Sequence, residues 1–299
     1  DIQPDYIVST WELFDDKQRA DTAYLIKQGT TDWSKVYINQ YTGEVLSQPV
    51  GLDSQLTDWL LSLHYTFLLH DIGLLLGAAI ALIMLIVGIT GLIMYGRHYL
   101  KIFNIRWSRP FNIIHSDLHK LFGMLGAPVL LLLGATGLYW NIAEYIHETI
   151  EHAEEHHLPL DSPLYDTSLP FEDMLTTSRT SLPGFTPTYI VFAFEAGVDI
   201  MVFGYEEKTN LLYSDYSSGV IFDRLTGEQK STWSIHEATT PAVIVDSFRE
   251  LHFGTFGGLA SRIIWAVTGA LPLILAITGL TIWWVRKRKY KSKRHRRIA

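Results

Sequence analysis

The stretch that decides the fold is LLHDIGLLLGAAIALIMLIVGITGLIMY, residues 68–95, in which Asp71 is the only Asp, Glu, Lys or Arg. About 20 apolar residues suffice for a helix, rising about 1.5 Å per residue, to cross about 30 Å of hydrocarbon. The run is therefore read as a membrane span. Two more such runs follow, at about 118–141 and 258–285. Pro128, Pro272 and several glycines interrupt them, which a membrane bundle tolerates because small residues let backbones approach and neighbours satisfy freed carbonyls. Trp140, Trp283 and Trp284 sit where interfacial aromatics are expected.

Working outward, the flanks set the orientation. Arg97, Lys101, Arg106 and Arg109 follow the first run, and nine Lys or Arg residues fall between Arg286 and Arg297 after the third. Basic segments beside spans are the positive-inside signal, so both are expected in the cytoplasm, and the tail is not read as a nucleic-acid site. Nearly all the carboxylates lie in residues 1–62 and 141–250, on the opposite side, which in a bacterium is the periplasm. The net charge of -7 hides this segregation. With no cysteine among 299 residues, a disulfide framework and thiolate chemistry are excluded.

Between the spans the apolar period changes to two. Residues 187–206 alternate around Glu195-Ala196-Gly197, predicting a β-hairpin. Residues 171–179 and 141–157 read as helices, the latter extending the middle span beyond the membrane. The outer part is thus α+β.

An internal repeat organises the chain. VYINQYTGEVL at 36–46 resembles VIFDRLTGEQK at 220–230, each a strand, a Gly-containing turn and a second strand. Leu63-His64 and Leu251-His252 follow, then Thr90-Gly91 and Thr278-Gly279, with 26 residues from His to Thr in both copies. On one continuous helix that spacing is about 39 Å, so His64 and His252 are expected at equal heights just beyond the outer edge of the hydrocarbon. The middle span has its own version, His119 followed by Thr136-Gly137, running the other way. If each unit is helix, strand-turn-strand module, helix, the first lacks its opening helix, expected before Asp1 or from another chain.

These residues resemble the PepSY-associated transmembrane family, which includes inner-membrane ferric-siderophore reductases. The resemblance rests on the two TGE-bearing modules, LHYTF at 63–67, DLHKLFG at 117–123 and LHFGTFGG at 251–258 with the basic tail. It implies a membrane α-helical bundle of four spans, three of them visible here, with a periplasmic α+β PepSY-like domain. The expected division is 1–62 and 146–250 for the two periplasmic parts, 63–96, 117–145 and 251–285 for the spans, 97–116 for a cytoplasmic loop and 286–299 for the tail.

The reductase branch implies b-type haem, one or two per chain, held by helix-borne histidines. The repeat pairs His64 with His252 as ligands of an outer haem. His70, deeper and followed by Asp71, is the competing ligand, although its repeat equivalent is Gly258. His119 is expected to ligate a cytoplasmic-side haem with a partner on the missing helix. Arg262 either snorkels to the interface or meets a haem propionate. In IHETIEHAEEHH, Glu148, His152 and Glu155 or His156 share a helical face and form a weak metal candidate beside the blander reading of a solvated helix.

The expected function is electron transfer across the bacterial inner membrane to a periplasmic acceptor, a ferric siderophore or other chelated iron(III). Partners would be the lipid bilayer, that chelate and an electron donor the sequence does not reveal; no catalytic residue is identified. The rival readings are a non-redox PepSY membrane partner or regulator, and an accessory subunit of a larger electron-transfer complex.

Overall fold

The structure, a computed structural model, describes residues 4–14, 16–151 and 159–298. The chain divides into two compact units, Asp1–Leu75 with Ile142–Glu250, and Leu76–Asn141 with Leu251–Ala299.

The first unit is built on one antiparallel sheet of eight strands: β1 (Tyr6–Glu12), β2 (Asp21–Lys27), β3 (Trp33–Ile38), β4 (Val50–Gly51), β5 (Thr186–Val191), β6 (Ile200–Tyr205), β7 (Ser218–Phe222) and β8 (Gln229–Trp233). The hairpin expected over 187–206 is β5 with β6. Strand order is β4-β3-β2-β1-β5-β6-β7-β8, symmetric about the β1/β5 pairing, where Thr10, Trp11 and Glu12 face Val191, Ile190 and Tyr189. The two modules that the sequence separates by the first two spans thus join edge to edge. That pairing covers two strand edges that would otherwise be open to foreign chains.

Alternation decides which face each strand buries. Ile200, Val202, Val220 and Phe222 point into a core closed by helix α4 (Phe171–Ser181), which contributes Met174. A smaller core, Ala23, Leu25, Val36 and Ile38, serves the first module.

The repeated turns are the same object twice. Asn39 N–H donates to the Glu44 carbonyl and Asp223 N–H to that of Glu228, while Gly43 and Gly227 donate back to residues 39 and 223. The Asn39 side-chain oxygen accepts from the backbone N–H groups of Tyr41 and Thr42, and the Asp223 carboxylate accepts from those of Leu225 and Thr226. Gly43 (φ 70°) and Gly227 (φ 72°) supply the left-handed residue the turn needs. In the first module the strand after the turn is reduced to the Ile38–Val45 bridge and the two-residue β4.

Those backbone donors, with Lys230 as a further partner, hold the Asp223 carboxyl at about 2, below its ordinary 3.8. A group depressed in this way stabilises the fold above pH 3.8, and the contribution fades as pH falls toward 2. Asn39 shows that an amide serves the same turn. Asp223→Asn is therefore expected to fold normally and to flatten the pH dependence of the unfolding midpoint in that window. An unchanged acid limb would remove the assignment.

Helix α1 (Leu56–Thr66) is tied to the sheet by Lys35 Nζ to Asp58 at 2.7 Å, both side chains largely buried. Helix α5 (Thr240–Phe253) is tied by Asp246, which accepts from the Ser214 hydroxyl and backbone N–H.

The second unit is helical. Helices α2 (His70–Tyr95), α3 (Phe111–Ile146), α6 (Gly258–Gly269) and α7 (Leu271–Ile298) supply three segments long and apolar enough to cross a membrane, His70–Tyr95, Phe111–Thr149 and Gly258–Arg288. Only 17% to 28% of their most apolar windows is buried, so most of that surface faces outward, as lipid-facing helices require. Helices pack where side chains are small: Gly88 lies against Leu131, Gly134 against Met84 and Leu85, and Gly126 against Leu271.

One expectation is corrected. Single helices were expected from His64 to Thr90 and from His252 to Thr278, and both are broken just after the histidine. Phe67, Leu68 and His70 adopt φ of 52°, 60° and 50°, and Gly254 and Gly258 adopt 66° and 62°. A right-handed helix cannot continue through left-handed residues. The apolar helices accordingly begin at His70 and Gly258 rather than at 63 and 251. The break is itself repeated: Gly73 abuts the Thr66 carbonyl, and its repeat equivalent Ser261 donates its hydroxyl to the Gly254 carbonyl at 2.6 Å.

Candidate functional site

Helix α3 carries His119 near one end and Thr136 near the other, about 26 Å apart along the axis at about 1.5 Å per residue. Each takes part in the same arrangement with another helix. His252, in the last turn of α5, places Nδ1 2.7 Å from Thr136 Oγ1. His119 places Nδ1 2.9 Å from Thr278 Oγ1 of α7.

The glycine after each threonine completes the seat. A Cβ on Gly137 would lie 3.4 Å from His252 Cε1, and one on Gly279 would lie 3.5 Å from His119 Cε1. Both rings lie over the bare backbone of a Thr-Gly pair. Trp140, one turn along α3, packs on His252 with ring centroids 5.1 Å apart, and Trp265 Nε1 donates to the Leu251 carbonyl at 2.7 Å, fixing the end of α5.

The direction of these hydrogen bonds follows from the hydroxyls. Thr136 Oγ1 donates its single proton to the Leu132 carbonyl at 2.9 Å, and Thr278 Oγ1 donates to that of Ile274 at 2.8 Å. Each oxygen is then left as an acceptor, so the imidazole Nδ1 carries the proton and donates. In the neutral ring Nε2 therefore presents its lone pair, held in one orientation. A metal-binding histidine needs this tautomer and this second hydrogen bond. A bis-histidine haem asks for two such imidazoles facing one another, so each seat supplies one of the two donors that such a group would need.

A cavity of about 270 Å³ opens beside His119. Met84, Gly88, Gly91, Tyr95, Gly123 and Met124 form part of its wall, which is almost wholly apolar. Gly91, on its wall, belongs to a third Thr-Gly pair. Thr90 Oγ1 donates to the Val87 carbonyl at 3.0 Å, as at the other seats, but Thr90 is exposed and a Cβ on Gly91 would meet nothing within 4 Å. By contrast Thr136 and Thr278 are buried under their histidines.

The other expected residues are distributed as follows. His64 is exposed near the end of α1 and His70 is exposed at the start of α2, both in the sheet-bearing unit, whereas His252 and His119 belong to the helical one. Arg262 is exposed on α6, with no carboxylate paired to it among the described residues. Glu148 is half-buried in a π-helical turn after α3. Burial first, and then Glu144 and Glu148, raise the neighbouring Tyr65 above its ordinary value. His152, Glu155 and His156 lie outside the described residues, and among those described no group of three or more His, Asp or Glu side chains could hold a metal ion.

Sequence reasoning noticed the Thr-Gly pairs as markers of a repeat and missed their use as histidine seats. It also missed Asp117. This fully buried carboxylate accepts from Arg106 Nε at 2.9 Å and Nη2 at 2.8 Å, and pairs with Lys120 Nζ at 2.7 Å.

Residues 5–286 match the model of a family described as "PepSY-associated TM region". No curated protein matches the chain.

Proposed function

We propose, for a chain that belongs to the PepSY-associated TM family, that it holds haem on helix-borne histidines and passes single electrons across the bacterial inner membrane to chelated iron(III) in the periplasm. The observation that carries this reading is the doubled seat, in which Thr136 and Thr278 each accept from one imidazole Nδ1 and so set its tautomer. Haem held by two histidines would supply one-electron transfer rather than oxygen chemistry.

The chain's own residues divide the work. His252, held by Thr136 and Trp140, ligates at the end of α3 nearer the sheet-bearing segments in sequence, with His64 as its partner by the repeat and His70 as the alternative. His119, held by Thr278, ligates at the basic end. Its partner is a histidine on a further helix that docks on Thr90-Gly91 and closes the apolar cavity. Arg262 would snorkel to the interface or meet a propionate. Apolar walls around His119 exclude water, which keeps the site poised for electron rather than proton traffic.

Charge segregation supports a cytoplasmic loop and tail and a periplasmic sheet. The acidic outer segments repel anions, so the acceptor is neutral or cationic, or approaches over a local basic patch. Reduction loosens the chelate because hard oxygen ligands hold iron(III) more firmly than iron(II).

An absorption spectrum of the purified protein tests the reading. Bis-histidine haem gives an intense Soret band and sharp bands on reduction. A protein that folds fully and shows neither is a non-redox membrane partner or regulator. If the spectrum requires a co-purifying chain, the accessory-subunit reading replaces the single-chain one.

A further inference from the structure

A second cavity, of about 240 Å³, lies between the start of α3 and the middle of α7, and is lined by Arg106, Asn112, Ile113, Ser116, Ile282, Val285 and Arg286. Independently of any haem, we propose that it binds the phosphate of an anionic phospholipid, with the apolar part of the lipid against Ile113, Ile282 and Val285. Four of the seven lining side chains can donate hydrogen bonds and none is a carboxylate. Among the described residues, no protein group hydrogen-bonds to the side chains of Asn112, Ser116 or Arg286.

Arg106 is not a loose surface arginine. Its Nε and Nη2 are clamped by the buried Asp117 carboxylate, which fixes the guanidinium plane and leaves Nη1 and one Nη2 proton for a second anion. Lys120 on the same carboxylate keeps the local sum positive: Arg106, Lys120 and Arg286 against Asp117. Basic pockets between membrane helices are the usual seats of anionic headgroups.

Two features favour a lipid over a free phosphate. Ile113, Ile282 and Val285 wall the same cavity, and they gain from an acyl chain or glycerol backbone but not from a solvated ion. Trp283 and Trp284, next to these residues on α7, are about half exposed and stack under Lys287 and Arg288, marking the depth at which headgroups lie.

The test is the thermal unfolding midpoint of the delipidated full chain in a neutral detergent. Dioleoyl phosphatidylglycerol, dioleoyl phosphatidylcholine and inorganic phosphate are added in turn. Phosphatidylglycerol at roughly ten times its dissociation constant is expected to raise the midpoint by about 4 °C, and the other two by under about 1 °C. Arg286→Gln, which leaves the Arg106–Asp117 clamp intact, should keep the parent's lipid-free midpoint and lose most of that increment. Arg294→Gln, which removes one tail charge beyond the cavity, should retain it. Equal loss in both variants would mean diffuse attraction to the tail and overturn the site. An increment from inorganic phosphate matching that of phosphatidylglycerol would overturn the lipid assignment, as would an Arg286→Gln response equal to the parent's.

Discussion

Changing His252 to Ala is expected to remove about one haem per chain, and His119→Ala to remove about one other, since under the proposed function each would be one of two histidines holding its haem. The seats make the prediction sharper than ligand deletion alone. Thr136→Val and Thr278→Val keep the imidazoles but take away the hydroxyl that accepts from Nδ1–H, so each ring loses one of the groups that set its tautomer and orientation. Removing such an outer partner typically costs 10- to 100-fold in metal affinity. Each valine variant should therefore retain haem when it is supplied in excess and lose it on dialysis. The measurement is haem-to-protein stoichiometry with the low-spin spectrum.

The same series separates His64 from His70. If His70→Ala loses the outer haem and His64→Ala keeps it, the repeat-based pairing is wrong and the more membrane-proximal histidine is the partner. Gly91→Leu, placed where a Cβ meets nothing within 4 Å, should leave the isolated fold unchanged while emptying the His119 site. Full haem occupancy in Gly91→Leu would show that no helix docks on Thr90-Gly91.

Asp117→Ala carries the largest expected stability effect. The Asp117 side chain is fully buried and neutralises Arg106 and Lys120. Deleting one partner of a buried pair leaves uncompensated charge, at a cost of about 3–5 kcal/mol. The Arg106 side chain is half exposed and can turn to water, which favours the lower figure, about 3 kcal/mol. The unfolding midpoint should fall by about 6–12 °C. Lys120→Met, which keeps the Arg106 clamp, should cost less than a third of that. An Asp117→Ala midpoint within about 1 °C of the parent would dismiss the cluster as a structural anchor.

Much of the architecture was legible because its signals are local. Three apolar runs, the hairpin around Glu195-Ala196-Gly197, helix 171–179 and the twin TGE turns each depend on a few neighbouring residues: a period, a glycine able to take positive φ, a side-chain acceptor at residue 39 or 223. The helix break after His64 was not legible. Phe67 and Leu68 are ordinary helix-compatible residues, and nothing in their identity announces left-handed backbone. That conformation is set by the close approach of Gly73 to the Thr66 carbonyl, a contact the chain makes only once folded.

The sequence by itself determined that this is a membrane protein with basic and acidic segments apart, a duplicated strand-turn-strand module and a short roll of histidines able to ligate. Those properties are sums over the chain or patterns along it. Only the tertiary structure decided which histidines are seated. Thr136 meets His252 across 116 residues and Thr278 meets His119 across 159. Only it joined β1 to β5 across two spans, and only it clamped Arg106 on Asp117. A hydrogen bond between helices depends on the rotation and depth of both, which packing fixes and one-dimensional spacing does not.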